Sequence, residues 1–316
     1  MDARLKYLEM ADGVKLYYEF WLPTSPKANI VFVHGLGDHK GRYGALVRYF
    51  ALKGYGVCLY DQRGHGRSTG RRGHCKQFSD FTRDLAQIMD HLHETHPSTP
   101  TFLIGHSFGG QVAINFVSKY SKGLRGLVAL SPNIEPLIDL PKWKRKLAFF
   151  ASTWFPILKM KSVVDPEFLS HNPKVVEAIK NDPLMNWHVT ARLGAEILKN
   201  LTVLPRLPFQ LKIPCLFMHG SEDMITSVEA TKKFYYNTII QKKELRIYPG
   251  QYHELLNEEV ADQVYDEIDK WIESRLSEHS RLARSSSQGW VEDIYDQEKP
   301  VNLWNHNGDN TTDYSK

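Results

Sequence analysis

Thr101-Phe102-Leu103-Ile104-Gly105-His106-Ser107-Phe108-Gly109-Gly110 is the stretch from which the rest of the chain is read. Its first four residues make a short apolar run of the kind that forms a buried strand, and Gln111 to Tyr120 has helical spacing. Between them stands G-x-S-x-G, a serine flanked by small residues at a strand-to-helix turn. Such a turn is predicted to hold Ser107 in strained backbone geometry, where side chains on its neighbours would collide, and to lift its hydroxyl clear of the sheet. A tight turn with a capping serine would read the same way, so the partners of Ser107 decide.

Working outward, five more apolar runs are bounded by turn residues: Ile30 to Val33, Gly56 to Tyr60, Gly126 to Leu130, Cys215 to Met218 and Leu245 to Tyr248. Segments with helical spacing separate most of them, notably Phe78 to His93, Val228 to Tyr236 and Glu258 to Leu276. The alternation predicts an α/β chain with a mostly parallel sheet covered by helices on both faces. Residues 1–131 and 212–276 are expected to form this core. Residues 132–211, with Pro, Trp, Phe and Lys in helix-like patches and no clear strand pattern, are expected to be an inserted helical cap. Residues 277–316 turn polar and lose apolar periodicity, which predicts a flexible tail; Trp290, Tyr295 and Trp304 are its aromatic exceptions.

A neutral serine hydroxyl needs a base within hydrogen-bond reach, and the base needs a carboxylate to orient it. Two strand ends downstream supply candidates: Cys215 to Met218 runs into His219-Gly220-Ser221-Glu222-Asp223, and Leu245 to Tyr248 into Pro249-Gly250-Gln251-Tyr252-His253. Loops beyond the carboxyl ends of parallel strands converge on one crevice, so Asp223 and His253 can meet Ser107. Glu222 is the nearest rival acid. The attacked carbonyl becomes an oxyanion that needs fixed N–H donors. The glycine-flanked loop His34-Gly35-Leu36-Gly37 after Val33 offers the N–H of Leu36, and the elbow offers that of Phe108. His34 is expected to brace its loop, and His106 is poorly oriented inside the elbow.

These motifs, together with Asp61-Gln62-Arg63-Gly64-His65-Gly66-Arg67-Ser68 and the segments Leu169-Ser170-His171-Asn172-Pro173 and Asn181-Asp182-Pro183-Leu184, resemble the monoacylglycerol lipase and lysophospholipase group of α/β-hydrolases. The resemblance covers about Tyr7 to Leu276. It implies the α/β-hydrolase fold and a serine hydrolase acting on single-chain acyl lipids, with Ser107, Asp223 and His253 as triad and neither cofactor nor metal. The loop from Asp61 to Ser68 is read as structural. Its glycine spacing fits neither common phosphate-binding pattern.

Composition sets the outer limits. The chain has 316 residues, 42% hydrophobic and 24% charged, with a net charge of +4. That is ordinary globular usage without the concentrated basic face that nucleic-acid binding requires. The three cysteines, Cys58, Cys75 and Cys215, lack metal-site or disulfide spacing, and Met1 to Lys6 opens no apolar signal region. A cytoplasmic protein is expected, peripheral on membranes at most. The membrane contact would come from Lys142, Lys144, Arg145 and Lys146 at the start of a helix whose Trp143, Leu147, Phe150 and Trp154 make an apolar stripe. The competing readings are a short-chain carboxylesterase, an amide-cleaving peptidase, and a catalytically silent binding protein on the same fold.

Overall fold

The computed structural model describes residues 4–137, 141–162 and 164–296, with the side chains of 4, 5, 142, 144 and 279–296 outside the description. All six apolar runs lie in strands of one eight-stranded sheet. In chain order its strands are β1 (Arg4–Glu9), β2 (Lys15–Trp21), β3 (Asn29–Val33), β4 (Gly56–Tyr60), β5 (Thr101–His106) and β6 (Leu124–Leu130). After the short strands β7 (Lys159–Lys161) and β8 (His188–Thr190) come β9 (Cys215–Gly220) and β10 (Lys243–Tyr248). The sheet order is β1-β2-β4-β3-β5-β6-β9-β10, parallel from β4 to β10 and antiparallel at the β1 and β2 edge.

The helices are α1 (Gly44–Leu52), α2 (Ser79–Thr95), α3 (Phe108–Lys119), α4 (Lys142–Trp154), α5 (Pro173–Asn181), α6 (Ala191–Leu201), α7 (Val228–Asn237) and α8 (Ala261–Asp296). Strands β3, β4, β5 and β9 are buried along their whole length, which explains their continuous apolar sequence. Helix α3 is buried from Phe108 to Val117, and each of its large apolar side chains contributes about 1.5–3 kcal/mol by leaving water. From β3 the chain moves outward to β4 on one side and returns to β5 on the other. Strand order therefore reverses at β3, and the crevice beyond the carboxyl ends of β3 and β5 is where such a sheet places its ligand.

Three features differ from the sequence expectation. The first two strands were not foreseen, because charged residues break up their apolar runs: Arg4, Lys6 and Glu9 in β1, and Lys15 and Glu19 in β2. Between β6 and β9 the chain contains not only α4, α5 and α6 but a two-stranded antiparallel sheet, β7 with β8, whose three-residue strands are too short to show periodicity. Finally, α8 does not end near Leu276 but continues to Asp296. The chain divides into a unit ending at Glu273 and a second, beginning at Ser274, which is helical to Asp296. Trp304 lies outside the described residues. No helix among the described residues is long and apolar enough to cross a membrane.

Candidate active site

At the end of β5 the backbone turns sharply into α3 at Ser107, which has φ 55° and ψ −118°. This left-handed conformation costs a non-glycine residue about 1–3 kcal/mol, so the surroundings must enforce it. They do so by crowding. A Cβ on Gly109 would lie 2.1 Å from the Val33 carbonyl oxygen, and one on Gly105 would lie 2.5 Å from the Gly109 carbonyl oxygen. The Ser107 N–H donates to Leu130 O at 2.9 Å, and its carbonyl accepts from Asn133 N at 3.0 Å. The two glycines of the motif thus let β3, β5 and α3 approach closely enough to hold the serine in its turn.

The two other candidate residues meet as a pair. His253 Nδ1 donates to Asp223 Oδ2 at 2.7 Å, which leaves Nε2 as the nitrogen able to accept a proton. Asp223 is itself fixed: its Oδ1 accepts from the N–H groups of Ile225 at 2.8 Å and Thr226 at 2.9 Å, and its Oδ2 from the Thr226 hydroxyl at 2.9 Å. Burial alone would raise its pKa. The charge of His253 and hydrogen bonds from His219 and His253 outweigh that and hold the carboxyl well below the usual range. Glu222 is exposed, so the rival acid stands in solvent, while Asp223 is the acid hydrogen-bonded to His253.

The remaining histidines of the motifs have other partners. His34 Nε2 accepts from Gln62 N at 2.9 Å and Nδ1 lies 2.8 Å from Gly35 O, which pins the glycine loop. Burial pushes the pKa of His34 down to about 4. In His106, burial and then the charge of His253 do the same, to about 4, so neither ring is a base poised near neutrality. Asp61 accepts from Lys40 N and Arg67 N, each at 2.7 Å, through separate carboxylate oxygens. Its loop is held in shape by these bonds, and Gly66, at φ 46°, leaves room for the Asp61 carboxylate.

Leu36 lies in the loop after β3 and Phe108 is the first residue of α3. Among the described hydrogen bonds neither N–H has a protein acceptor. Gly35 brings its loop to the nucleophile turn, where an added Cβ would sit 3.5 Å from Ser107 Cβ. The loop is also clamped by the segment between β6 and β9. Asn186 N donates to Gly37 O at 2.7 Å, and His39 Nε2 lies 2.8 Å from Asp182 Oδ2. Gly37 has φ 75°, and a Cβ there would meet Asn186 O at 2.5 Å.

Ser107, Leu36, Phe108 and His253 line one cavity of about 640 Å³, whose far wall is the segment between β6 and β9. Trp143, Leu147 and Phe150 of α4 line it while each remaining more than half exposed, so the helix presents apolar side chains at the cavity's edge. Below them is an ionic cluster invisible in the sequence. Arg42 is bonded to both Glu254 oxygens, at 2.9 and 2.6 Å, and to Asp38 at 3.1 Å, while Tyr43 donates to Asp38 at 2.6 Å. Arg42 thereby joins the loop carrying Leu36 to the residue after His253. No group of three or more His, Cys, Asp or Glu side chains among the described residues is arranged to hold a metal ion.

Known proteins resemble this chain in sequence and fold. The family model described as serine aminopeptidase, S33 (Hydrolase_4) matches residues 24–260. The human protein named monoglyceride lipase is 32% identical over 288 residues, covering 86% of this chain and 91% of its own. The monoacylglycerol lipase of Mycolicibacterium smegmatis is 30% identical over 276 residues, covering 84% and 95%. The crystal structure of Paleococcus ferrophilus monoacylglycerol lipase superposes with a TM-score of 0.75 at 30% identity, over 82% of this chain and 99% of that one. The chain therefore belongs to the monoacylglycerol lipase group of the α/β-hydrolases, a family of serine ester hydrolases.

Proposed function

We propose that this enzyme hydrolyses the ester of a single-chain acyl lipid, with a monoacylglycerol as its preferred substrate, through Ser107, His253 and Asp223. The observation that carries the reading is the cavity: about 640 Å³, walled by apolar side chains, with Ser107 and His253 both on its surface. That volume lies in the range of small-ligand sites. Ser107 Oγ attacks the acyl carbonyl while His253 Nε2 takes its proton, and the N–H groups of Leu36 and Phe108 receive the oxyanion. Collapse breaks the ester bond, and the leaving alcohol takes the proton back from His253. Water then attacks the acyl-enzyme, His253 again acting as base, to release the fatty acid and restore Ser107. Asp223 holds the imidazole throughout.

An aminopeptidase reading would need a carboxylate to pair with the substrate's amino terminus. The acids lining the cavity are Asp38 and Glu254, and both are engaged by Arg42. Comparing fatty-acid release from a monoacylglycerol and a lysophosphatidylcholine of equal chain length tests the substrate. Faster release from the neutral lipid is expected. Faster release from the phospholipid overturns the choice of headgroup, and release from neither overturns the lipid reading.

Residues 132–211 serve in this account as a cap through which lipid enters from a membrane surface. The exposed Trp143, Leu147, Phe150 and Trp154 on α4 would enter the interface, with Arg145 and Lys146 toward the headgroups. The side chains of Lys142 and Lys144 lie outside the described residues. Basic residues crowded at a helix amino terminus oppose the helix dipole, and attraction to anionic lipid of about 1 kcal/mol per residue offsets that. The enzyme is expected to sediment with anionic vesicles more than with neutral ones, and Lys146→Glu should reduce the difference. Equal sedimentation with both, or none with either, contradicts the electrostatic contribution.

A further inference from the structure

Asp223 has a second imidazole neighbour that the proposed reaction does not use. His219, at the end of β9, is fully buried, and its Nε2 lies 3.0 Å from Asp223 Oδ2. The same nitrogen is 3.2 Å from the Thr226 carbonyl oxygen. Two acceptors facing one ring nitrogen require that it carry the proton. The other nitrogen, Nδ1, is 2.9 Å from the hydroxyl of Thr231, a buried residue of α7 that can donate to it. Thr231 therefore fixes the ring, and the ring turns its Nε2–H toward Asp223 and Thr226. Asp223 Oδ2 sits between two imidazoles, with His253 at 2.7 Å on the other side.

We infer that His219 is a positioning residue for the catalytic acid: its N–H shares the negative charge of Asp223 with His253, and so sets both the place of the carboxylate and how strongly it favours the His253 imidazolium. The inference deepens the triad reading and rests on it. Its sign follows from charge. A carboxylate relieved of the His219 donor has more charge left for His253 and stabilises the protonated imidazole more. The base is then protonated at a higher pH, and the acidic limb of kcat/KM, which reports the free enzyme's base, moves up. The other titratable or charged groups facing the pair are His106, whose ring centroid is 4.9 Å from that of His253, then Glu254, Asp38 and Arg42. All of these are left unchanged by the substitutions below.

The experiment is the pH profile of kcat/KM on a soluble p-nitrophenyl ester for the wild type, His219→Leu, His219→Gln and Thr231→Val. In His219→Leu the acidic limb is expected to rise by about half a pH unit or more, with kcat lowered about 10-fold and KM little changed. His219→Gln, whose amide restores a donor, should bring the limb back toward the wild type. Thr231→Val keeps the side-chain shape, leaves Asp223 untouched, and should move the limb in the same direction by less. It decides the question if His219→Leu does not fold. A limb that stays in place in every folded variant overturns the role of His219 while leaving the triad standing. A wild type without ester hydrolysis overturns the triad reading, and this inference with it.

Discussion

Ser107→Ala is expected to lower ester hydrolysis about 10⁴-fold to 10⁶-fold while the protein stays folded. The loss follows from the absence of any other nucleophile in the arrangement: His253 and the N–H groups of Leu36 and Phe108 would remain, but no acyl-enzyme could form. Folding should survive because alanine keeps the Cβ, and the backbone bonds that hold the turn, Ser107 N to Leu130 O and Asn133 N to Ser107 O, do not involve the hydroxyl. Thermal melting within a few degrees of the wild type, with residual activity near background, is the expected pair of results. Activity within 10-fold of the wild type would remove Ser107 from the mechanism.

Asp223→Asn should cost about 10⁴-fold in kcat, with KM nearly unchanged. Hydrogen-bond direction is the cause. The backbone N–H groups of Ile225 and Thr226 demand an acceptor at Oδ1, so the substituted amide nitrogen must occupy the Oδ2 position. It then offers a donor to His253 Nδ1, which can answer only as an acceptor. The imidazole proton is driven to Nε2, the nitrogen that must be free to take the Ser107 proton. His219 Nε2, also at that oxygen, faces a donor as well. The substitution therefore selects the wrong tautomer without deleting volume. Kinetics on a soluble ester, alongside a melting curve, would check it. Near-normal kcat would mean that another acid orients His253.

How much of this was legible in the sequence depends on whether the signal is local. The strands β3, β4, β5, β6 and β9 announced themselves because burial on both faces leaves no room for polar alternation; Ser107 and Asp223 each follow such a strand, and His253 follows the partly buried β10. Loops at the carboxyl ends of parallel strands converge, so a place after such a strand is enough to nominate the three as one group. Thr226 was readable in principle, since a Thr three residues after an Asp can return both its N–H and its hydroxyl to the carboxylate. Arg42 and Glu254 were not. They are separated by 212 residues, and their pairing exists only because the loops after β3 and β10 fold together. His39 and Asp182, 143 residues apart, are a similar case.

Elsewhere the local pattern is incomplete. The polar composition after Leu276 suggested irregular chain, yet the backbone is helical to Asp296. Arg, Ala, Glu and Gln are good helix formers, so a polar stretch can continue a helix without apolar periodicity. The stripe on α4 is a second case. Its spacing marks a helix with one apolar face, and Trp143, Leu147, Phe150 and Trp154 on that face are each more than half exposed. Periodicity identifies the helix and its apolar face, and what covers that face has to be found in three dimensions.

Reaction of the wild-type enzyme with a fluorophosphonate, followed by peptide mapping of the adduct by mass spectrometry, tests the central claim most directly. The account predicts one adduct per chain, on Ser107, and none on the Ser107→Ala variant. An adduct on a different residue, or stoichiometric labelling that persists in Ser107→Ala, would contradict it.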